Sequence, residues 1–159
     1  MKIYRVNEEW QRAGVYYVRT EAMVLGFNLT LEGEFAEDTP QSEYILVTDD
    51  EGRPLHTNRI HLLPERGFGK IERVVTLSTA RGIGAGRAGI EAAEEWIKER
   101  GFKKIVISSR EEALGFYQKL GYKVREDMNP HTLEPKKPGE VIPVHDPRFV
   151  CVYVEKELD

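Results

Sequence analysis

The chain of 159 residues holds a single cysteine, Cys151. One thiol cannot build an internal disulfide framework or a multi-cysteine zinc site, and its neighbours Val150 and Val152 suit a buried core cysteine. No apolar run approaches the ~18 residues of a membrane span. Met1 to Arg5 leads into an acidic stretch, not into the apolar centre of a signal peptide. There is no internal repeat and no low-complexity tract. Nor is there an excess of positive charge: 23 Lys and Arg stand against 27 Asp and Glu, a formal net charge of −4. That balance argues against nucleic acid and membrane as partners, while leaving room for an anionic ligand at a local basic site. His131 and His145 have only Glu134 and Asp146 nearby, which is not a metal-ligand spacing, so no metal is expected. Together these absences point to a reduced, cytoplasmic setting.

What remains is globular material, 40% apolar and 31% charged, of a length that suits one domain over residues 1–159. Strand patterns fall at 2–6, 44–48, 54–63, 67–77, 104–108, 122–125 and 148–157. Asn7 is placed to cap a first helix, with Trp10, Ala13, Tyr17 and Val24 on its apolar side, running to about Phe27. The acidic segment 32–38 reads as loop or a short second helix. A further helix opens in a glycine-rich run at residues 80–87 and ends at Arg100. Its buried stripe is Ile90, Ala93 and Trp96/Ile97, and its solvated pairs are Arg87/Glu91 and Glu94/Lys98. Ser109 and Glu112 have capping-box spacing ahead of a helix that turns Ala113, Phe116, Tyr117 and Leu120 inward. Short turns between the early strands and one later βαβ unit predict an α+β fold with a mixed, mostly antiparallel sheet of about seven strands flanked by helices.

Three readings compete for Gly82, Gly84, Gly86 and Gly89. They could ease a strand-to-helix turn. They could be a dinucleotide site, since residues 84–89 match G-x-G-x-x-G. That version lacks an acidic residue about 20 positions on, has Arg110 there instead, and lacks the further βα units of a doubly wound sheet. Or they could cradle a pyrophosphate in another way, with glycines baring backbone N–H groups at a helix N-terminus and Arg81 and Arg87 adding charge.

Arg81-x-x-Gly84-x-Gly86 has the form R/Q-x-x-G-x-G/A, and residues 113–122, ALGFYQKLGY, have the form A-x-x-F-Y-x-x-L-G-F/Y. Both signatures, at this separation, resemble those of the GNAT N-acetyltransferases along nearly the whole chain. Residues 18–21 and 69–74 resemble the small bacterial ElaA-like branch. The resemblance implies acetyl-coenzyme A as cosubstrate and a small-molecule or peptide amine as acceptor. It implies a splayed central parallel strand pair, the strand before the glycine loop bulging so that Val74, Val75 and Thr76 bare backbone groups to the pantetheine arm. It places the pyrophosphate on Arg81, Gly82, Ile83, Gly84, Ala85, Gly86 and Arg87, and Arg110 stands where many members have an asparagine that touches the coenzyme. Many members dimerise, so a homodimer is allowed. Tyr117 matches a tyrosine near the coenzyme sulfur, although it also lies on an apolar helix face. Glu72 is the candidate base, with an ion pair to Arg59 or to neighbours of Arg73 as the other reading. Arg19 either lines the acceptor cleft or lies on the helix surface. His56 and His61 read as strand-pairing or surface residues. The loop 126–147, with five of the eight prolines, either covers the acceptor side or is a partly disordered excursion. The implied activity is N-acetyl transfer in a ternary complex. The alternatives are a non-catalytic coenzyme A sensor or interaction domain and, less well matched, an NADP-dependent reductase.

Overall fold

The computed structural model describes residues 1–159. Seven strands form one mixed sheet: β1 Lys2–Arg5, β2 Glu43–Thr48, β3 Pro54–Leu63, β4 Phe68–Thr76, β5 Lys104–Arg110, β6 Lys123–Val124 and β7 Cys151–Glu157. Their order is β1-β2-β3-β4-β5-β7-β6. Four α-helices accompany them: α1 Glu9–Arg19, α2 Leu31–Phe35, α3 Ala85–Glu99 and α4 Leu114–Lys119. The expected α+β class and mixed sheet are both present. One pairing is parallel, Gly69 with Ile105 and Lys70 with Val106 in β4 and β5. No helix is long and apolar enough to cross a membrane.

The chain divides into two compact units, Met1–Leu62 with Ile71–Gly101, and Leu63–Lys70 with Phe102–Asp159. In the first, β1, β2 and β3 run antiparallel in succession; the short turn between β2 and β3 predicts their pairing, whereas α1 and α2 separate β1 from β2 in the chain. Val15 on α1 packs on Tyr44 and Leu46 of β2. The buried face of α3 is Ile90, Ala93 and Ile97, as its periodicity requires. Glu94, expected on the solvated face, is buried, while the Arg87–Glu91 pair forms at 2.6 Å on the exposed one. In the second unit, Phe68, Val106, Leu133 and Tyr153 form the core.

Several local expectations need correcting. Glu8, not Asn7, caps α1, because the Gln11 side-chain carbonyl reaches back to the N–H groups of both Asn7 and Glu8 at 2.7 and 3.0 Å. Trp10 and Tyr17 point outward, and the buried stripe is Gln11, Val15, Val18 and Arg19. Past Arg19 the helix widens into a π-helical turn over Thr20–Leu25. Ser109 caps nothing: it lies inside β5, and its hydroxyl donates to the Arg110 carbonyl. Phe116 is exposed and Cys151 only half-buried. The loop after β6 is not a disordered excursion at its start. Met128 bridges Pro135, the Asn129 side chain accepts from the N–H groups of His131 and Thr132, and Arg66 donates to the carbonyls of Thr132 and Leu133.

Candidate active site

The candidate site begins in the part of β4 from Ile71 onward, which belongs to the first unit. In a regular strand, Glu72 and Thr76, four apart, share a face. Here they do not. Glu72 accepts a hydrogen bond from Arg59 Nε at 2.9 Å, and Thr76 Oγ1 lies 2.8 Å from His56 Nδ1. Arg59 and His56 are three apart on β3, and so on opposite faces. Between the two contacts β3 advances three residues and β4 four, so β4 carries one residue in excess: a β-bulge. The backbone shows where. Arg73 has φ 51°, in the left-handed region that non-glycine residues rarely adopt. A residue held this way costs on the order of 1–3 kcal/mol. Its guanidinium is tied to the buried Glu34 carboxylate at 3.2 Å. Val74, Val75 and Thr76 come directly after, in the positions expected to bare backbone groups.

After Thr76 the chain makes a single 3-10 turn at Ser78–Ala80 and enters the glycine run. Gly82 and Gly84 have φ 82° and 87°, so the turn into α3 uses a conformation that glycine adopts without penalty. No side chain caps α3 at Gly84, and its first turn carries no acidic residue. The first N–H groups of α3, at the positive end of the helix dipole, thus have no side-chain acceptor, an arrangement that favours negative charge. Arg81 and Ile83 are exposed beside them. Gly89 has a different reason to be glycine: a Cβ would lie 2.1 Å from the His56 ring.

Beneath β4 lies a charge cluster that the sequence only partly disclosed. Arg19, fully buried, donates to Glu34 at 2.9 Å and to both Asp38 oxygens at 2.6 and 2.8 Å, and its guanidinium stands 4.4 Å from the Phe35 ring centre. The surface reading of Arg19 is therefore wrong. Arg59 joins Asp38, Glu37 and Glu72. Burial pushes the Asp38 carboxyl up, but Arg19, Tyr44 and Arg59 outweigh it and hold the group at about 2. The ion-pair reading of Glu72 thus has its geometry, with Arg59 as partner and exposed His61 at 3.8 Å.

On the opposite face of β3, His56 is fully buried, not a surface residue. Burial drives its imidazole down to about 3, so the ring is neutral. Asn58 Nδ2 lies 3.0 Å from His56 Nε2 and 3.1 Å from the Gly89 carbonyl, while Asn58 Oδ1 is buried with no partner. Nothing in the spacing of His56 and Asn58 marks them. The clue is in Gly89, a glycine inside a helix with no turn to make.

The second unit holds the other expected site residues. Tyr117 on α4 is 4% exposed, packed edge-on against Tyr122, and its hydroxyl takes no hydrogen bond from the protein. Burial pushes its phenol up, which keeps it protonated. Arg110 donates to Glu112 at 2.6 Å and to the Arg148 carbonyl, over the ring of Phe149. A cavity of about 1160 Å³ lies inside this unit, bounded by α4, β7 and the proline-rich loop, with Gln118, Met128, His131 and Tyr153 among its walls.

Comparison with known proteins shows what the chain is similar to. The model of the acetyltransferase (GNAT) family matches residues 4–122. The uncharacterized N-acetyltransferase YjcF of Bacillus subtilis is 32% identical over 124 residues, 78% of this chain and 86% of that protein. A solved Lactobacillus plantarum protein, provisionally described as an N-acetyltransferase, is 28% identical with a TM-score of 0.80, covering 99% of this chain and 97% of its own. An aminoglycoside 6'-N-acetyltransferase solved with coenzyme A shares the fold, with a TM-score of 0.72 over 99% of this chain and 97% of its own, at 11% identity.

Proposed function

The chain belongs to the acetyltransferase (GNAT) family, and on that premise we propose that it moves the acetyl group of acetyl-coenzyme A to a primary amine by direct transfer in a ternary complex. The observation that carries this reading is the path of the chain through β4 into α3: an extra residue at Arg73, then an uncapped, glycine-built helix start. In this reading Val74, Val75 and Thr76 offer backbone groups to the pantetheine arm. Arg81 to Arg87 receive the pyrophosphate, whose charge the helix dipole and the two arginines favour. Arg110, which holds Glu112 through one guanidinium nitrogen, is the remaining coenzyme contact in this reading.

The chemistry needs two proton movements. The amine nitrogen attacks the thioester carbonyl, a C–N bond forms, the C–S bond breaks, and coenzyme A leaves as a thiolate. The parent thiol has a reference pKa near 8.5. Tyr117, a phenol kept protonated by burial, is the donor to that sulfur. Glu72 takes the proton that the amine sheds, through water. The loop 126–147, ordered at its start, is the cover of the acceptor side.

The test is release of free thiol from acetyl-coenzyme A across a panel of amines, with Tyr117→Phe as the paired variant. Phenylalanine keeps the ring's packing and deletes the donor. We expect kcat to fall about 10²–10⁴-fold, the usual worth of a positioned acid, with coenzyme affinity little changed. Coenzyme A binding without thiol release for any amine would leave a binding domain in place of an enzyme. Wild-type turnover in Tyr117→Phe at every pH would remove the acid role.

A further inference from the structure

We propose that His56 and Asn58 form a positioning relay that commits the Thr76 hydroxyl to donate to an oxygen on the pantetheine–pyrophosphate arm of the bound acyl-coenzyme A. The inference rests on the proposed function, which puts that arm along β4 and the glycine loop.

One group among these contacts has a fixed role. The Gly89 carbonyl can only accept, so the Asn58 amide must present its NH2 end there, at 3.1 Å. The second hydrogen of the same nitrogen then points at His56 Nε2, at 3.0 Å. An N–H facing Nε2 requires that nitrogen to be the acceptor. The ring is neutral, being sealed from solvent, so its one proton sits on Nδ1. Nδ1–H therefore donates to Thr76 Oγ1 at 2.8 Å. A hydroxyl that accepts from its buried side has its own hydrogen left to give. No acceptor in the protein takes it, and Thr76 is only half-buried.

Two further features fit a relay better than packing alone. Asn58 Oδ1 is buried without a partner, so the amide is oriented for what its nitrogen does, at the expense of its oxygen. Residue 89 must be glycine because the ring occupies the space of its Cβ. The bulge at Arg73 supplies the last element. Without the extra residue in β4, Thr76 would lie on the same face as Glu72, away from His56.

The experiment combines ring-nitrogen NMR of the free protein with coenzyme A titration of variants. Nitrogen-15 spectra should show His56 with the proton on Nδ1; a proton on Nε2 overturns the relay. Thr76→Val keeps the shape and deletes the hydroxyl. It should weaken acetyl-coenzyme A binding about two- to tenfold, the usual worth of one neutral hydrogen bond. His56→Asn places an amide donor near the Nδ1 position and should bind close to wild type, whereas His56→Leu, which leaves the hydroxyl present but uncommitted, should weaken binding by no more than Thr76→Val does. The double variant Thr76→Val/His56→Leu should bind as Thr76→Val alone does, because His56 acts only through that hydroxyl. If Thr76→Val binds as wild type does, the relay falls while the proposed function stands. If wild type itself does not bind coenzyme A, the function reading falls and takes the relay with it. Lower thermal stability in His56→Leu with unchanged affinity would show packing alone and also overturn the proposal.

Discussion

Two polar clusters flank the same pair of strands and are built on opposite plans. On one face of β3, Arg59 belongs to a charged group with Asp38, Glu34, Arg19 and Glu72, in which each guanidinium meets more than one carboxylate. On the other face, His56 and Asn58 are neutral and incomplete, with an amide oxygen left over and a threonine hydroxyl unspent. Buried charge has to be paired, because an uncompensated ion in a low dielectric is far costlier than an unmet dipole. A neutral group can keep an unused valence. The difference suggests where to look for scaffold and where for site: saturation marks the scaffold, and spare hydrogen-bonding capacity marks the site.

The largest effect expected from this contrast is on stability. Arg19→Met removes the cation from buried Glu34 and half-buried Asp38, although Arg73 and Arg59 remain to them. We expect a loss of about 3–5 kcal/mol, the usual cost of stripping one partner from a buried pair. A urea midpoint measures it. Turnover per folded molecule should survive. A variant of wild-type stability with lost turnover would move the ionic cluster from scaffold to site and break the comparison.

Acid should act on the same cluster in a defined window. Asp38 sits at about 2 in the folded protein against an ordinary carboxyl at 3.8. A carboxyl depressed on folding stabilises above its unfolded value, and that contribution is lost as pH falls through the folded one. The loss should therefore develop between about pH 4 and pH 2 and amount to about 2 kcal/mol. Asp38→Asn cannot titrate. The stability gap between it and wild type should narrow by that amount from pH 5 to pH 2 in denaturant titrations. A constant gap would mean that Asp38 is not the sensitive group.

Much of this architecture is legible in the amino-acid sequence. The strand and helix order comes from periodicity, and the glycine run with its two arginines marks the helix start. Contacts made at long range are not legible. Arg19 looks like a helix-surface residue because its partners, Glu34 and Asp38, are 15 and 19 residues away. Trp10 and Tyr17 look like core by type, yet Gln11 and Arg19 take the inner positions. The bulge is anticipated only by the family resemblance, and that it falls at Arg73 is not legible, since an arginine at φ 51° is written with the same letter as any other. Propensity reads a residue's ordinary habits, and this site is built from residues held outside them.

The smallest expected effect, and the one that most sharpens the contrast, belongs to Glu72, which stands between the two plans. By contact it is scaffold, since its Oε1 accepts from Arg59 Nε at 2.9 Å. By position it precedes the bulge and is the proposed proton acceptor. Glu72→Gln separates the two, because the amide oxygen can still accept from Arg59 while the charge is gone. Arg59 keeps Asp38 at 2.7 Å, so the stability loss should be modest, below that of Arg19→Met. Rate is the informative quantity. If Glu72 relieves the amine of a proton, the defect should be greatest at low pH, where the amine is mostly ammonium. It should close at high pH, where the amine arrives neutral and needs no base. A structural ion pair gives another signature, a defect of constant size across the profile. A pH–rate comparison of wild type and Glu72→Gln at saturating acetyl-coenzyme A decides between them, and a flat ratio would return Glu72 to the scaffold.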